Sequence, residues 1–218
     1  MLPKIHTLSL RMSLAYLIEG QAGMILVDAG LRGEERSVLK KMNELEREDL
    51  RLIFITHAHL DHYGSAAELK RITRAPIAVH HQDEEAMALG QTRIGSARNL
   101  GRAVKALLPI VHPLLRPEPV HADLILEDGF HLGEYGFDAR VLHTPGHTHG
   151  SSCLVVEDRL AFSGDLITYR GGARLQRYFA QDWSALPTSL SLLQAQQPEW
   201  VFPGHGREPI KAEELQSL

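Results

Sequence analysis

Four side chains able to bind a metal ion fall within the six residues His57-Ala58-His59-Leu60-Asp61-His62. They come directly after Leu52–Ile55, a short apolar run that reads as a strand. Residues i and i+2 at a strand end point the same way, so His57 and His59 can grip one ion together. Asp61 and His62 fall where the chain turns toward the next helix, within reach of a second ion. Neutral imidazole and carboxylate suit Zn, Mn or Fe.

Three later segments share a local form. Thr144-Pro145-Gly146-His147 follows a strand ending at His143, Ser163-Gly164-Asp165 follows Leu160–Phe162, and Pro203-Gly204-His205-Gly206 follows Glu199–Phe202. Each puts a ligand-type residue just past a strand and beside a glycine, which lets the backbone turn sharply. If these strands run in one direction, all the loops open at one edge, and Asp28 reaches it too. A lone histidine after a strand is ordinarily a surface or satisfied core residue. The cluster at 57–62 is what gives His147, Asp165 and His205 their meaning.

The surrounding pattern supplies such strands. Ile5–Leu10, Leu14–Glu19 and Met24–Val27 read as strands, followed by a helix near Glu34–Leu45. A helix over Gly64–Arg71 precedes a buried strand, Ile77–His80. Asp83–Leu115 reads as helical, with Pro109, Pro113, Pro117 and Pro119 breaking up its end and the segment just beyond it. Strands return near Leu124–Leu126, Phe137–His143, Cys153–Glu157 and Leu160–Phe162. A helix in Asp182–Gln196, starting there or only at Pro187, a strand at Glu199–Phe202 and a helix near Ala212–Leu218 complete the chain. This rhythm suggests two sheets packed face to face with helices outside.

The 218 residues can bury a full core, and 44% hydrophobic with 23% charged residues is ordinary for a globular protein. Lys and Arg total 23 against 27 Asp and Glu, a net charge of −4, which does not suit a general nucleic-acid binder. One cysteine, Cys153, leaves no internal disulfide, and its place inside a strand reads as small buried packing. No apolar run approaches the ~20 residues that cross a bilayer. His6, Arg11 and Glu19 interrupt any leader-like stretch, so a cytoplasmic location is expected.

The motif set resembles the metallo-β-lactamase-fold hydrolase superfamily. The signature of that family is His-x-His-x-Asp-His followed by His, Asp and His on later loops. Here it reads His57, His59, Asp61, His62, His147, Asp165 and His205. The resemblance implies an α+β fold, a four-layer αββα sandwich, as one domain over residues 1–218 with a helical insert at about 83–118. It implies two divalent ions, zinc first, with manganese or iron as alternatives. His57, His59 and His147 would hold one ion, Asp61, His62 and His205 the other, and Asp165 would bridge them. Asp28 would support the ligand loops.

The implied chemistry is hydrolysis of a small ester, thioester or lactone carbonyl by a metal-bridging hydroxide, with Asp61 or Asp165 passing a proton to the leaving atom. Asp165 at the bridging position, where one β-lactamase subclass has cysteine, resembles the glyoxalase II and lactonase branch. The extra C-terminal domain of glyoxalase II has no counterpart after His205, which argues against a glutathione thioester. Tyr169 resembles the substrate-contacting tyrosine of lactonases without matching its position, and Tyr63 is a weaker candidate. His143 and His149 read as supporting or structural residues, and His80 and His81 as structural.

The segment Gly90–Arg116 carries Arg93, Arg98, Arg102, Lys105 and Arg116 with no acidic residue. Val104, Leu107, Leu108, Ile110, Val111, Leu114 and Leu115 run through its second half. It reads as a lid over the metal site, suiting an apolar acyl or lactone substrate, or as a homodimer contact. Two other reactions suit a related scaffold: a mononuclear iron persulfide dioxygenase using His57, His147 and Asp165, and a phosphodiesterase or nuclease.

Overall fold

The computed structural model describes residues 3–20, 22–206 and 209–218, with the backbone alone at 108, 111 and 112, so Leu108 and Val111 lie outside the described side chains. Strands β1 (Lys4–Ser9), β2 (Leu14–Gly20) and β3 (Gly23–Val27) form an antiparallel meander. Helix α1 (Glu35–Glu44) crosses back so that β4 (Leu50–Phe54) pairs parallel to β3. Helices α2 (Leu60–Tyr63) and α3 (Ala66–Thr73) lead to β5 (Ile77–His80), again parallel. Helix α4 (His81–Ala88), the short strand β6 (Ser96–Ala97) and helix α5 (Gly101–Leu115) precede β7 (Leu124–Leu126). The first sheet has the order β1-β2-β3-β4-β5-β7.

The second half begins with β8 (Ala139–His143), β9 (Ser152–Val156) and β10 (Leu160–Tyr169), then the short β11 (Ala173–Leu175) and β12 (Phe179–Ala180). Helix α6 (Leu186–Ala195), β13 (Trp200–His205), β14 (Ile210–Lys211) and α7 (Ala212–Gln216) come next. This sheet has the order β14-β13-β10-β9-β8, with β11 beside β10.

Alternation along the strands sorts the apolar side chains into three layers. Leu17, Leu26 and Ile53 face Val38, Met42 and Leu69 on the first sheet's helices. Their strand neighbours Ile18, Ile25 and Leu52 face Val141, Leu154 and Phe162 across the gap between the sheets. Val155, Ile167 and Val201 face Leu186, Leu190 and Leu193 of α6. Three apolar layers between four structural layers make the αββα sandwich. Each large side chain so buried contributes roughly 1.5–3 kcal/mol. Among the described residues, no helix is long and apolar enough to cross a membrane.

Several local expectations need correction. Asp83–Leu115 is not one helical run: residues between α4 and α5 leave the helix, and β6 pairs with β12 of the other half. That pairing depends on a partner some 80 residues away in sequence, about which local propensity carries no information. Helix α5 runs through Pro109 and Pro113 instead of breaking there. Each proline removes one backbone donor, and on an exposed helix water can satisfy the freed carbonyl. The helix expected over Gly64–Arg71 is α3, two residues further on, with the separate short helix α2 before it, and α6 starts at Leu186, beside the later expected start at Pro187.

Cys153 is fully buried, 3.4 Å from Thr144 Oγ1, and burial pushes its thiol up to about 12. It should resist a disulfide thiol reagent in the native protein and react at the rate of a free thiol in denaturant. Rapid native labelling would contradict this packing role.

Candidate metal centre

Strands β3 and β4 are parallel, β8 and β10 each run antiparallel to β9, and β13 is parallel to β10. The C-terminal ends of these strands therefore meet at one edge. His57–His62 follow β4 there, and His147 follows β8. Asp165 and His205 were expected just past strand ends, yet both lie within strands. The β10–β13 ladder slips between Phe162 and Gly164 and again between Gly164 and Thr168. Such irregularities re-aim side chains out of the pleat. Gly164, at φ +48°, makes the first slip, and a Cβ there would sit 2.7 Å from Thr56 Oγ1. A Cβ on Gly204 would sit 2.7 Å from the His62 ring and 2.8 Å from Asp165 Oδ1. The Tyr16 hydroxyl, donating to the Pro203 carbonyl at 2.6 Å, ties the sheets together beside this turn.

All seven expected ligand residues converge. The donor atoms of His57, His59 and His147 lie within 4.8 Å of one another, as do those of Asp61, His62 and His205. Asp165 sits between the groups. Its Oδ2 is 3.4 Å from His147 Nε2, and its Oδ1 is 3.3 Å from His62 Nε2 and 3.2 Å from His205 Nε2. Asp61 Oδ2 is 3.5 Å from His205 Nε2.

The outward nitrogens of His57, His59, His62 and His147 are held, which selects the inward ones as donors. His62 Nδ1 lies 2.8 Å from Asp28 Oδ2. Asp28 also accepts from the Thr56 backbone N–H and hydroxyl. The Thr56 oxygen in turn lies 3.0 Å from His57 Nδ1. His147 Nδ1 faces the Phe179 carbonyl at 3.1 Å, and His59 Nε2 faces that of Arg93 at 3.5 Å. Inward, His57 Nε2, His62 Nε2 and Asp165 Oδ1 are buried with no hydrogen-bond partner among the described residues. His59 Nδ1 and His147 Nε2 meet at 2.9 Å, lone pair toward lone pair if their outer nitrogens carry the protons. Buried polar atoms left in this state are costly, and a cation among them removes the cost. The donor set fits divalent metal.

At His57, His59 and His147 charge is arranged to match. Burial, then the neighbouring rings, holds His57 well below the usual imidazole range, and burial lowers His59 and brings His147 down to about 4. Neutral imidazole is the form metal ions bind. Burial also opposes charge on His62, but Asp28, Asp61 and Asp165 outweigh it and raise that ring well above its ordinary value. For Asp165, burial is outweighed by His205, His62 and His147, which hold the carboxyl well below the carboxylate range.

The sequence pattern of the metallo-beta-lactamase superfamily matches residues 8–205, nearly the whole chain and a span that includes all seven expected ligands. The chain belongs to the metallo-β-lactamase superfamily. Hydroxyacylglutathione hydrolase GloC of Haemophilus influenzae is 27% identical over 195 residues, covering 88% of this chain and 84% of that protein. Human acyl-coenzyme A thioesterase MBLAC2 is 30% identical over 164 residues, covering 70% of this chain; the match spans only 57% of that relative. Among solved structures, TTHA1623 in a di-iron-bound form superposes with a TM-score of 0.72 at 29% identity, over 98% of this chain and 96% of that one. Family and relatives indicate a metal-dependent hydrolase.

In this metallo-β-lactamase-fold chain the cluster floors a cavity of about 560 Å³. His59, Asp61, His147, Asp165 and His205 reach it, and Leu100, Val104, Leu107 and Leu115 from α5 and its approach wall it. The insert thus stands over the site. Tyr169 lies off this cavity, on a neighbouring cleft that His205 also lines. Thr168 and Arg170 line the cavity, while the intervening Tyr169 packs against the Ile167 layer and borders a neighbouring cleft. The tyrosine on the cavity wall is Tyr178, which lacked any sequence signal. Tyr63 is buried and donates to the Gln91 carbonyl at 2.9 Å, a structural role. His143 Nε2 donates to the His149 carbonyl at 2.8 Å, and its ring stacks on His80 at 3.9 Å.

Two further residues escaped the sequence. Asp83, expected as a helix start, is buried and accepts from the Ala58 N–H (2.8 Å), Thr148 hydroxyl (2.7 Å) and Gly150 N–H (3.1 Å), clamping the two ligand loops together. Gln176 is buried beside His147 and donates to the Asp165 carbonyl at 3.3 Å. An isolated Asp or Gln has no local pattern to mark it.

Asp28 adopts φ +60°, a conformation Asp tolerates better than most residues. Asp28→Ala frees both His62 and Thr56, and metal affinity should fall about 10–100-fold. Competition with a chromogenic chelator measures it; unchanged affinity would remove Asp28 from any role in holding His62.

Proposed function

We propose that this protein hydrolyses ester, thioester or lactone carbonyls with two divalent ions held by His57, His59 and His147, and by Asp61, His62 and His205, with Asp165 shared between them. The observation that carries the reading is Asp165, one carboxylate oxygen turned to His147 and the other to His62 and His205. Zinc is the first expectation from the imidazole and carboxylate donors, with manganese or iron as alternatives. The di-iron form of TTHA1623 supports iron within a similar chain.

Bound ions supply a water of lowered pKa and an electrophile for the substrate carbonyl. The chain does the rest. Asp28 and Thr56 fix the rotation of His62 and His57, so the donor atoms stay aimed at common points. The walls from α5 exclude bulk water and favour an apolar acyl or lactone group. As a carbon–oxygen bond forms from water and the carbonyl–leaving-group bond breaks, the leaving atom needs a proton. Asp61 and Asp165, both at the cavity floor, are the groups placed to carry it.

The test combines metal content by mass spectrometry with turnover of thioesters and lactones. Near two ions per chain, with activity lost to chelator and restored by metal, is expected. A single iron, with oxygen uptake on glutathione persulfide and no ester turnover, would replace the reading with the dioxygenase. Phosphodiester cleavage well above any ester turnover would replace it with a phosphodiesterase.

A further inference from the structure

The cavity over the metal centre has two unlike ends. Leu100, Val104, Leu107 and Leu115 wall the end beneath α5. The other end is bordered by two hairpin turns, one from each sheet. Arg11 and Met12 lie in the turn between β1 and β2, and Arg170 lies in the turn between β10 and β11. These three residues and His205 also border a second cleft, of about 920 Å³, that continues along Ser9, Ser13 and Gly171. His205, one of the proposed ligands, thus stands where the cavity meets the cleft.

Charge separates the two ends. Arg11 and Arg170 line the cleft and, among the described residues, no Asp or Glu does. The acidic residues on the cavity itself are Asp61 and Asp165, both assigned to metal. Arg11 is already engaged: its Nε lies 3.3 Å from Glu34 Oε1, and its Nη2 donates to the Arg32 carbonyl at 2.8 Å. Arg170 is exposed, and among the described residues no carboxylate pairs with it. On the cavity wall, Arg177 Nη2 donates to the Tyr178 hydroxyl at 3.1 Å. That hydrogen bond outweighs burial and, with the charges of Arg177, Arg170 and Arg174, lowers the Tyr178 phenol. The positive field of these side chains therefore reaches the cavity. An unpaired guanidinium beside a polar cleft presents a planar fork of donors that matches a carboxylate or a phosphate.

We propose that the substrate is an acyclic thioester or ester whose apolar acyl group fills the α5 end, and whose leaving group carries a carboxylate or phosphate held by Arg170 in the cleft. The inference rests on the hydrolase reading and narrows it, because a lactone has no separate leaving group to place there. Water adds to the carbonyl carbon, the bond from that carbon to sulfur or oxygen breaks, and the leaving group takes up a proton and departs past His205. Arg170 holds the anionic end and not the reacting atoms, so it sets specificity.

The test compares butanoyl thioesters that differ in leaving-group charge: 3-mercaptopropionate against its amide, and 4′-phosphopantetheine against pantetheine. With the metal-loaded full chain, kcat/KM should favour the anionic member of at least one pair by about tenfold or more. In Arg170→Gln that ratio should fall by about tenfold, and Arg170→Lys should retain part of it. Circular dichroism melts check that both variants fold. Ratios near one in both pairs, or a ratio that Arg170→Gln leaves unchanged, would overturn the proposal and leave the hydrolase reading standing. So would a lactone turned over faster than any of these thioesters. Succinyl pantetheine outrunning butanoyl pantetheine by more than the leaving-group ratio would put the anion on the acyl side and overturn it too. The chelated protein gives a readout free of turnover. In titration calorimetry with S-butyl thioethers of the same thiols, the anionic member of a pair should bind about tenfold tighter, and Arg170→Gln should abolish the difference. If no ester, thioester or lactone is turned over, the hydrolase reading fails and this binding difference alone decides the cleft. Equal binding within both pairs would overturn the anion site as well.

Discussion

Asp165→Asn should lower kcat/KM for any ester substrate by at least about a thousandfold, more than the roughly 10–100-fold typical of residues that only support ligands. The amide keeps the shape and removes the charge. Asp165 turns a carboxylate oxygen to each histidine group, so its neutralisation weakens both sets of donors. Metal content should fall with activity. A variant that keeps its metal and comes within about tenfold of wild-type turnover would remove Asp165 from the centre of the mechanism. The chelated protein offers a second readout. Native Asp165 is held below its unfolded value by His205, His62 and His147. Its stabilisation is therefore present above the unfolded carboxylate pKa, about 3.9, and lost as pH falls toward and through the folded value. In Asp165→Asn, the acid limb of the melting-temperature curve should flatten.

Asp83→Ala should cost about 3–5 kcal/mol of stability, because it strands the Ala58 and Gly150 N–H groups and the Thr148 hydroxyl in a buried site. At roughly 2–4 °C per kcal/mol for a chain of this size, the melting temperature drops by about 10 °C. Asp83 touches none of the seven expected ligands, yet Ala58 lies between His57 and His59, and Thr148 is next after His147. Loosening that clamp lets the two loops drift, so metal affinity should fall together with stability. Asp83→Asn is the informative companion. It can keep one accepting oxygen and should recover part of the stability. A folded Asp83→Ala protein with wild-type melting temperature and metal affinity would show that the clamp is dispensable.

The candidate ligands and most of the elements beneath them were legible from residue types and spacing alone. His57, His59, Asp61 and His62 are adjacent in the chain, so their meaning is local, and strand periodicity marks the apolar runs before them. The later candidates were legible because each stands beside a glycine after such a run. Pairing between distant segments governed the rest. The slips in the β10–β13 ladder place Asp165 and His205 inside strands, which no single strand's composition encodes. The β6–β12 bridge interrupts a stretch expected to be helical throughout. Tyr169 and Tyr178 are both tyrosines near the site; the alternation of β10 turns the first toward the Ile167 layer, while the second, between β11 and β12, stands on the cavity wall. Asp83 reads as an ordinary acidic residue at a helix start until the loop carrying Thr148 and Gly150 folds onto it. Ligand chemistry is written in residue types at short spacing, whereas orientation and support come from contacts that exist only once the two sheets have packed.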